Sequence, residues 1–220
     1  MKIYRFWLLA LVFLASCTDA QTKKNQQAFA DLPKPKANEK VATFAGGCFW
    51  ALAEGMSELK GVNKVVSGYS GGKTKNPTYE EVCSDNTGHA ESVEVYYDPT
   101  IISYTQLSEA FFYAHDPTTL NRQGPDEGED YRSVAFYRTD EEKKVLEEVM
   151  EKVNAGHHYN EKIVTQVIPF KVSYPAENYH QDYYRLNPNN GYIQGVSRPK
   201  VLKLRKSMNA LIKPEFKDKI

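Results

Sequence analysis

The sequence predicts an α+β fold, a two-layer sandwich whose mixed, mostly antiparallel sheet is covered by helices. Three observations carry the prediction. From residue 41 onward, strand-like runs interleave with segments of helical spacing. Several links between the strand-like runs are too short for parallel crossovers. Hydrophobic residues make up 41% of the 220, enough for one packed core and hardly for two.

Val41 to Ala45 is an apolar run and reads as a strand. Gly46-Gly47-Cys48-Phe49-Trp50 follows, and Ala51 to Glu54 begins a helix. Gly61 to Tyr69 predicts the second strand. Ser70 to Tyr79 is turn-rich, and Thr78 or Asn76 caps a short helix over Glu80 to Cys83. Ala90 to Tyr97 alternates as a strand, and Ile102 to Ala114 is an apolar helix. Asp116 to Glu129 reads as a long loop and Tyr131 to Tyr137 as a strand. Thr139-Asp140-Glu141-Glu142 has the pattern of a capping box. It opens a helix in which Val145, Leu146, Val149, Met150 and Val153 follow helical spacing, with Gly156 suited to its end. Ile163 to Ile168 is the last strand. From Ala176 the chain reads as helix plus irregular wrap.

The first 16 residues read as a signal peptide. Lys2 and Arg5 precede ten apolar residues, Phe6 to Ala15, whose helix would rise only about 15 Å, half a bilayer core. Leu14-Ala15-Ser16-Cys17 resembles the lipobox of bacterial lipoproteins, which implies cleavage before Cys17 and lipid on its thiol. An ordinary signal peptide cleaved nearby is the alternative. Residues 17–39 are polar and aperiodic, a disordered tether with a reach of roughly 25–30 Å. The catalytic domain is then expected over 40–220, held at a membrane outside the cytoplasm, in the cell envelope.

Formal net charge is zero, and the lysines are scattered rather than clustered, which excludes a nucleic-acid surface. The three cysteines, Cys17, Cys48 and Cys83, form no CxxC pair, and the five histidines show no HxxxH spacing, so no zinc site is expected.

Cys48 is the most informative residue. At a strand-to-helix turn its sulfur meets unpaired amide N–H groups, which favour the thiolate. Gly46 and Gly47 permit a tight turn and a close approach by another molecule. Phe49 and Trp50 wall an apolar pocket. A structural cysteine would explain neither pair. Glu91 offers two readings. If the strand from Ala90 turns Val93, Val95 and Tyr97 to the core, Glu91 points inward, its pKa rises, and it becomes a proton donor. If the strand starts later, Glu91 is solvated. Tyr79 is either a core tyrosine or a hydroxyl donor in the pocket, Asp126 to Asp130 reads as a solvated acidic run, and Cys83 as a buried small residue. His89 and His115 read as turn and loop hydrogen-bonding residues.

Taken in order, these segments resemble one family: peptide methionine sulfoxide reductase A. The resemblance runs through Gly47-Cys48-Phe49-Trp50, Gly68-Tyr69-Ser70-Gly71-Gly72, Asn76 to Cys83, Thr87-Gly88-His89-Ala90-Glu91 and Tyr97-Asp98-Pro99. It continues through His115 to Thr118, Asn121 to Gly124 and Tyr131-Arg132-Ser133 to Asn178-Tyr179-His180-Gln181. It implies a ferredoxin-like core, a monomer without cofactor, and reduction of methionine-S-sulfoxide, free or in proteins, as repair after oxidation. It implies Cys48 as nucleophile, Glu91 as acid, Tyr79 and Tyr131 as donors to the sulfoxide oxygen, Phe49 and Trp50 as holders of the substrate methyl group, and Asp126 as a pocket residue. The sequence departs from the family pattern where no cysteine follows Cys83. Either an external thiol such as thioredoxin reduces the Cys48 sulfenic acid, or Cys83 resolves it. Glu129-Asp130 also stand where uncharged residues are expected, which predicts discrimination against acidic substrates. The competing classes are a thiol peroxidase using Cys48 and a lipid-anchored module that binds oxidised methionine without turnover.

Overall fold

The computed structural model describes residues 27–217; the signal and lipobox segment, Cys17 included, lies outside them. In chain order the elements are β1 (Lys40–Gly46), α1 (Phe49–Ser57), β2 (Val62–Ser70), α2 (Tyr79–Cys83), β3 (Ala90–Tyr97) and α3 (Tyr104–Ala114). Then come β4 (Arg122–Gln123), β5 (Asp126–Glu127), β6 (Ser133–Tyr137), α4 (Asp140–Ala155), β7 (Gln166–Pro169), β8 (Ser173–Pro175), α5 (Tyr183–Leu186) and α6 (Arg198–Ser207). The sheet order is β7-β6-β1-β3-β2-β8. All its pairs are antiparallel except β6 with β7. Its centre, β6-β1-β3-β2, is the ferredoxin-like arrangement, with α1 after β1 and α3 after β3.

Strand alternation decides which side chains meet the helices. Phe44, Val93, Val95, Tyr97 and Ala135 face a core built with Leu52, Met56, Leu107, Phe111 and Leu146. Phe44 and Phe111 stack at 4.7 Å between ring centroids. Each such buried side chain contributes about 2 kcal/mol. Ala45, Ala90, Val134 and Phe136 take the opposite face, covered by Ile168 and Phe170.

Local expectations differ from the structure at several points, each with a physical reason. Thr139 accepts the Glu142 N–H, but the Glu142 carboxylate reaches back to Arg138 N at 2.7 Å, one residue before the expected partner. Complete capping boxes form instead at Thr78–Glu81 and Ser103–Gln106. Gly156 keeps a helical φ of −74°, and His157 takes the left-handed conformation at 49°. Tyr131 lies in a 3₁₀ turn before β6, and β7 begins three residues after Ile163. The expectation of disorder over 17–39 does not hold for its described part. Phe29 bridges to Glu177, Ala30 N donates to Ala176 O at 3.0 Å, and Asn178 N donates to Ala28 O at 2.8 Å.

α6 is tied to the body by an ion pair that sequence patterning did not reveal. Arg205 donates to both Glu58 carboxylate oxygens at 2.7 Å, with Glu58 fully buried. Glu58→Ala leaves a guanidinium out of water without its carboxylate and should destabilise the fold by about 3–5 kcal/mol. Urea unfolding would measure it, and a loss below about 1 kcal/mol would show the pair to be solvated.

Candidate active site

β1 delivers the chain to Cys48 through two glycines that pack tightly. A Cβ on Gly46 would lie 2.9 Å from the His115 ring, and one on Gly47, whose φ is +77°, 2.2 Å from Gln123 Cγ. The close approach expected of another molecule is made by the protein's own side chains. Gln123 is itself fixed, its amide bridging Asp116 N and O. Cys48 is the N-cap of α1, 6% exposed.

Glu91 lies in β3 opposite Tyr69 of β2, on the helix-covered face and 1% exposed, so the inward reading holds. It accepts the Phe49 N–H at 3.0 Å, and its charge acts on the Cys48 thiol. Burial pushes its carboxyl up to about 8, so it is protonated at neutral pH. Cys48 departs from the thiolate expectation. The Trp50 N–H and the Tyr192 hydroxyl favour its anion, but burial and then Glu91 outweigh them and push the thiol well above its ordinary value. A helix N-terminus offers its field at a distance, whereas lost hydration acts on the sulfur directly.

The remaining residues converge on this pair. Tyr79 opens α2, held by Glu177, whose carboxylate accepts the Tyr79 N–H and the Tyr69 O–H at 2.9 Å each. Burial and then Glu91 raise both Tyr79 and Tyr131, so both hydroxyls stay protonated beside the carboxyl. Trp50 stacks on Tyr183 at 3.9 Å and donates its Nε1–H to His180 Nδ1 at 3.2 Å. Burial lowers His180 to about 4, so the neutral ring serves as acceptor. Phe49 is fully buried, 5.0 Å from the His180 ring, and Trp50 is the more open of the two aromatics.

Asp126 accepts the Tyr192 hydroxyl, which in turn meets the Cys48 sulfur. The acidic run from Asp126 to Asp130 is therefore not solvated throughout. Asp130 is buried and turned toward Asp85, and burial followed by Asp85 raises it to about 6. Glu129 alone of the pair at 129–130 faces solvent. Cys83 is exposed rather than buried, one turn of α2 after Tyr79, and burial of part of its side chain raises it to about 11. Sequence reasoning gave no role to His180, although it lies in a quoted motif, nor to Glu177. Tyr192 and Tyr183 carried no signal, because only the folded tail brings them to Cys48. The arrangement offers a soft nucleophile ringed by neutral proton donors, suited to reducing a polar group whose oxygen must leave protonated.

The model of the family described as peptide methionine sulfoxide reductase matches residues 40–211. The chain belongs to that family. It is 50% identical over 180 residues to peptide methionine sulfoxide reductase MsrA 1 of Rhodopirellula baltica, covering 82% of this chain and 93% of that one. It is 47% identical to the MsrA of Deinococcus radiodurans, covering 82% and 87%. Among solved structures, reduced Mxr1 of Saccharomyces cerevisiae superposes with a TM-score of 0.67 at 35% identity, covering 71% of this chain and 91% of that one. Methionine sulfoxide reductase A of Corynebacterium diphtheriae gives 0.63 at 30%, covering 74% and 90%. The protein is thus a peptide methionine sulfoxide reductase. In this reductase, Tyr192→Phe severs the link between Cys48 and Asp126. We expect kcat/KM to fall about ten- to a hundredfold, as for loss of a hydrogen bond to a charged group. Steady-state turnover of a sulfoxide peptide would measure it.

Proposed function

We propose that the reaction runs on Cys48 and Glu91 and is selective for the S epimer. The observation that carries this is a buried thiol at the start of α1 together with a buried carboxyl that holds the next residue's N–H and is pushed up to about 8. Glu91 gives its proton to the sulfoxide oxygen, with the Tyr79 and Tyr131 hydroxyls donating to that oxygen. The Cys48 sulfur attacks the substrate sulfur, and the thiol proton replaces the one Glu91 gave. The oxygen ends on Cys48. In balance, thiol plus sulfoxide becomes sulfenic acid plus thioether, two electrons passing from Cys48 to the substrate. Trp50 and Phe49 hold the methyl group, and Asp126 anchors Tyr192.

An external thiol such as thioredoxin then reduces the sulfenic acid, a reading supported by the absence of cysteine between Cys83 and Ile220. Exposure of Cys83 beside Tyr79 supports a second reading, in which Cys83 resolves it. The lipobox-like Leu14-Ala15-Ser16-Cys17 supports cleavage of a signal peptide at 16, lipid on Cys17 and repair of oxidised proteins in the cell envelope. The catalytic domain over 40–220 would work as a monomer tethered there.

The test is anaerobic single turnover with separate S and R epimers of a sulfoxide peptide, without reductant. One methionine per enzyme from the S epimer, with one thiol lost, is expected. Two thiols lost make Cys83 the resolver. No methionine from either epimer overturns the assignment.

A further inference from the structure

α6 carries a buried cation, Lys200, whose charge and that of Cys48 act on each other. The helix packs on α1, and Leu204 fills the space at Gly55, where an added Cβ would lie 2.7 Å from its Cδ2. Lys200 is one turn earlier on the same face, and helical side chains lean toward their own N-terminus. Its Nζ is buried and has no hydrogen-bond partner among the described residues. The charges of Asp126 from β5, Cys48 at the start of α1 and Glu91 from β3 favour the ammonium, while burial opposes it. His115, at the end of α3, also feels its charge, together with those of Lys203 and Asp116. Lys203 differs in being satisfied, its amine donating to Tyr159 Oη at 3.0 Å.

An ammonium out of water without a partner weakens the fold, so its presence calls for a purpose beyond packing. Of the groups whose charge acts on it, Cys48 and Glu91 gain negative charge during the proposed cycle. We propose that Lys200 is a positioning residue for the known reaction, supplying the positive field that lets the buried Cys48 sulfur become anionic between two acidic side chains. The proposal rests on Cys48 being the nucleophile. Lys200 acts through that sulfur and not on the substrate. In the resting enzyme its field is insufficient to ionise the thiol. It matters as Glu91 transfers its proton, when the sulfur must develop charge beside a new carboxylate.

The test is the pH dependence of Cys48 alkylation by iodoacetamide in a Cys83→Ser background, comparing Lys200→Met and Lys200→Arg. Lys200→Met should slow alkylation about tenfold at a fixed pH near 9, one decade of thiolate, and displace the profile to higher pH, with Lys200→Arg restoring most of the rate. A Lys200→Met profile that superimposes on the parent overturns the proposal. Single turnover of the parent on the same samples distinguishes that outcome from failure of the Cys48 assignment. Should Lys200→Met not fold, Lys200→Gln serves the same comparison, and a profile that superimposes on the parent overturns the proposal.

Discussion

Cys48→Ser should reduce methionine formation by about 10⁴-fold or more while leaving sulfoxide binding nearly intact. The size of the effect follows from where the electrons come from. The sulfoxide sulfur gains two electrons, and in the proposed reaction they leave the Cys48 sulfur as it becomes a sulfenic acid. Serine cannot follow that path, since placing the oxygen on its Oγ would create a hydroperoxide. Binding should persist because Trp50 stays clamped between Tyr183 and the His180 hydrogen bond. Glu91 likewise keeps the Phe49 N–H. Single-turnover product analysis and calorimetric titration with a sulfoxide peptide would separate the two effects. Retained turnover would assign the chemistry elsewhere, and lost binding would mean the sulfur also shapes the pocket. The raised thiol adds a related expectation. In resting enzyme at pH 7, Cys48 should alkylate slowly, since it carries little thiolate until the substrate arrives.

What sequence could and could not show divides along the distance over which information is encoded. Alternation over Ala90 to Tyr97 offered the core face as one of two readings of Glu91, because the pleat is a local property but the point where the strand begins is not. The Gly46-Gly47-Cys48 turn was legible because it too is local, as was the helix cap at Thr78. The direction of the Cys48 shift was not. The N-terminal field of α1 is a local signal, whereas the burial that overrides it comes from β3 and the folded tail. Cys83 was misplaced because one turn of helix does not say which side faces water. Tyr192 and Lys200 stand in the tail that reads only as helix plus irregular wrap. They reach Cys48 only because Leu204 seats α6 against Gly55 and Tyr192 finds Asp126. The Thr139 box failed by one residue, a shift that backbone geometry sets and residue type does not.

Glu91→Gln should lower kcat/KM by about 10²–10⁴-fold and at the same time make the protein more stable in alkali. The first effect is loss of the proposed proton donor, since an amide cannot protonate the departing oxygen. In the parent, kcat/KM should hold below about pH 8 and fall as pH rises through the Glu91 value, because only the protonated form donates. In the variant that limb should vanish. The stability effect has the opposite sense, and its direction follows from linkage. Burial raises the folded carboxyl from 4.5 to about 8, so the folded state holds its proton where the unfolded chain has released it. Stability present below pH 4.5 is therefore lost progressively as pH rises through about 8. Glutamine escapes that loss and still accepts the Phe49 N–H through its amide oxygen. The two proteins should be alike near pH 4, and the variant more stable near pH 9 by up to roughly 5 kcal/mol. Urea unfolding at both pH values would show it. A variant that is less stable at pH 9 would mean that the Phe49 N–H holds the Glu91 carboxylate more strongly than burial opposes it, and the donor role would fail with it. The acid that serves the reaction is thus expected to weaken the fold that holds it, because the burial that keeps its proton at neutral pH is the same burial that penalises its charge.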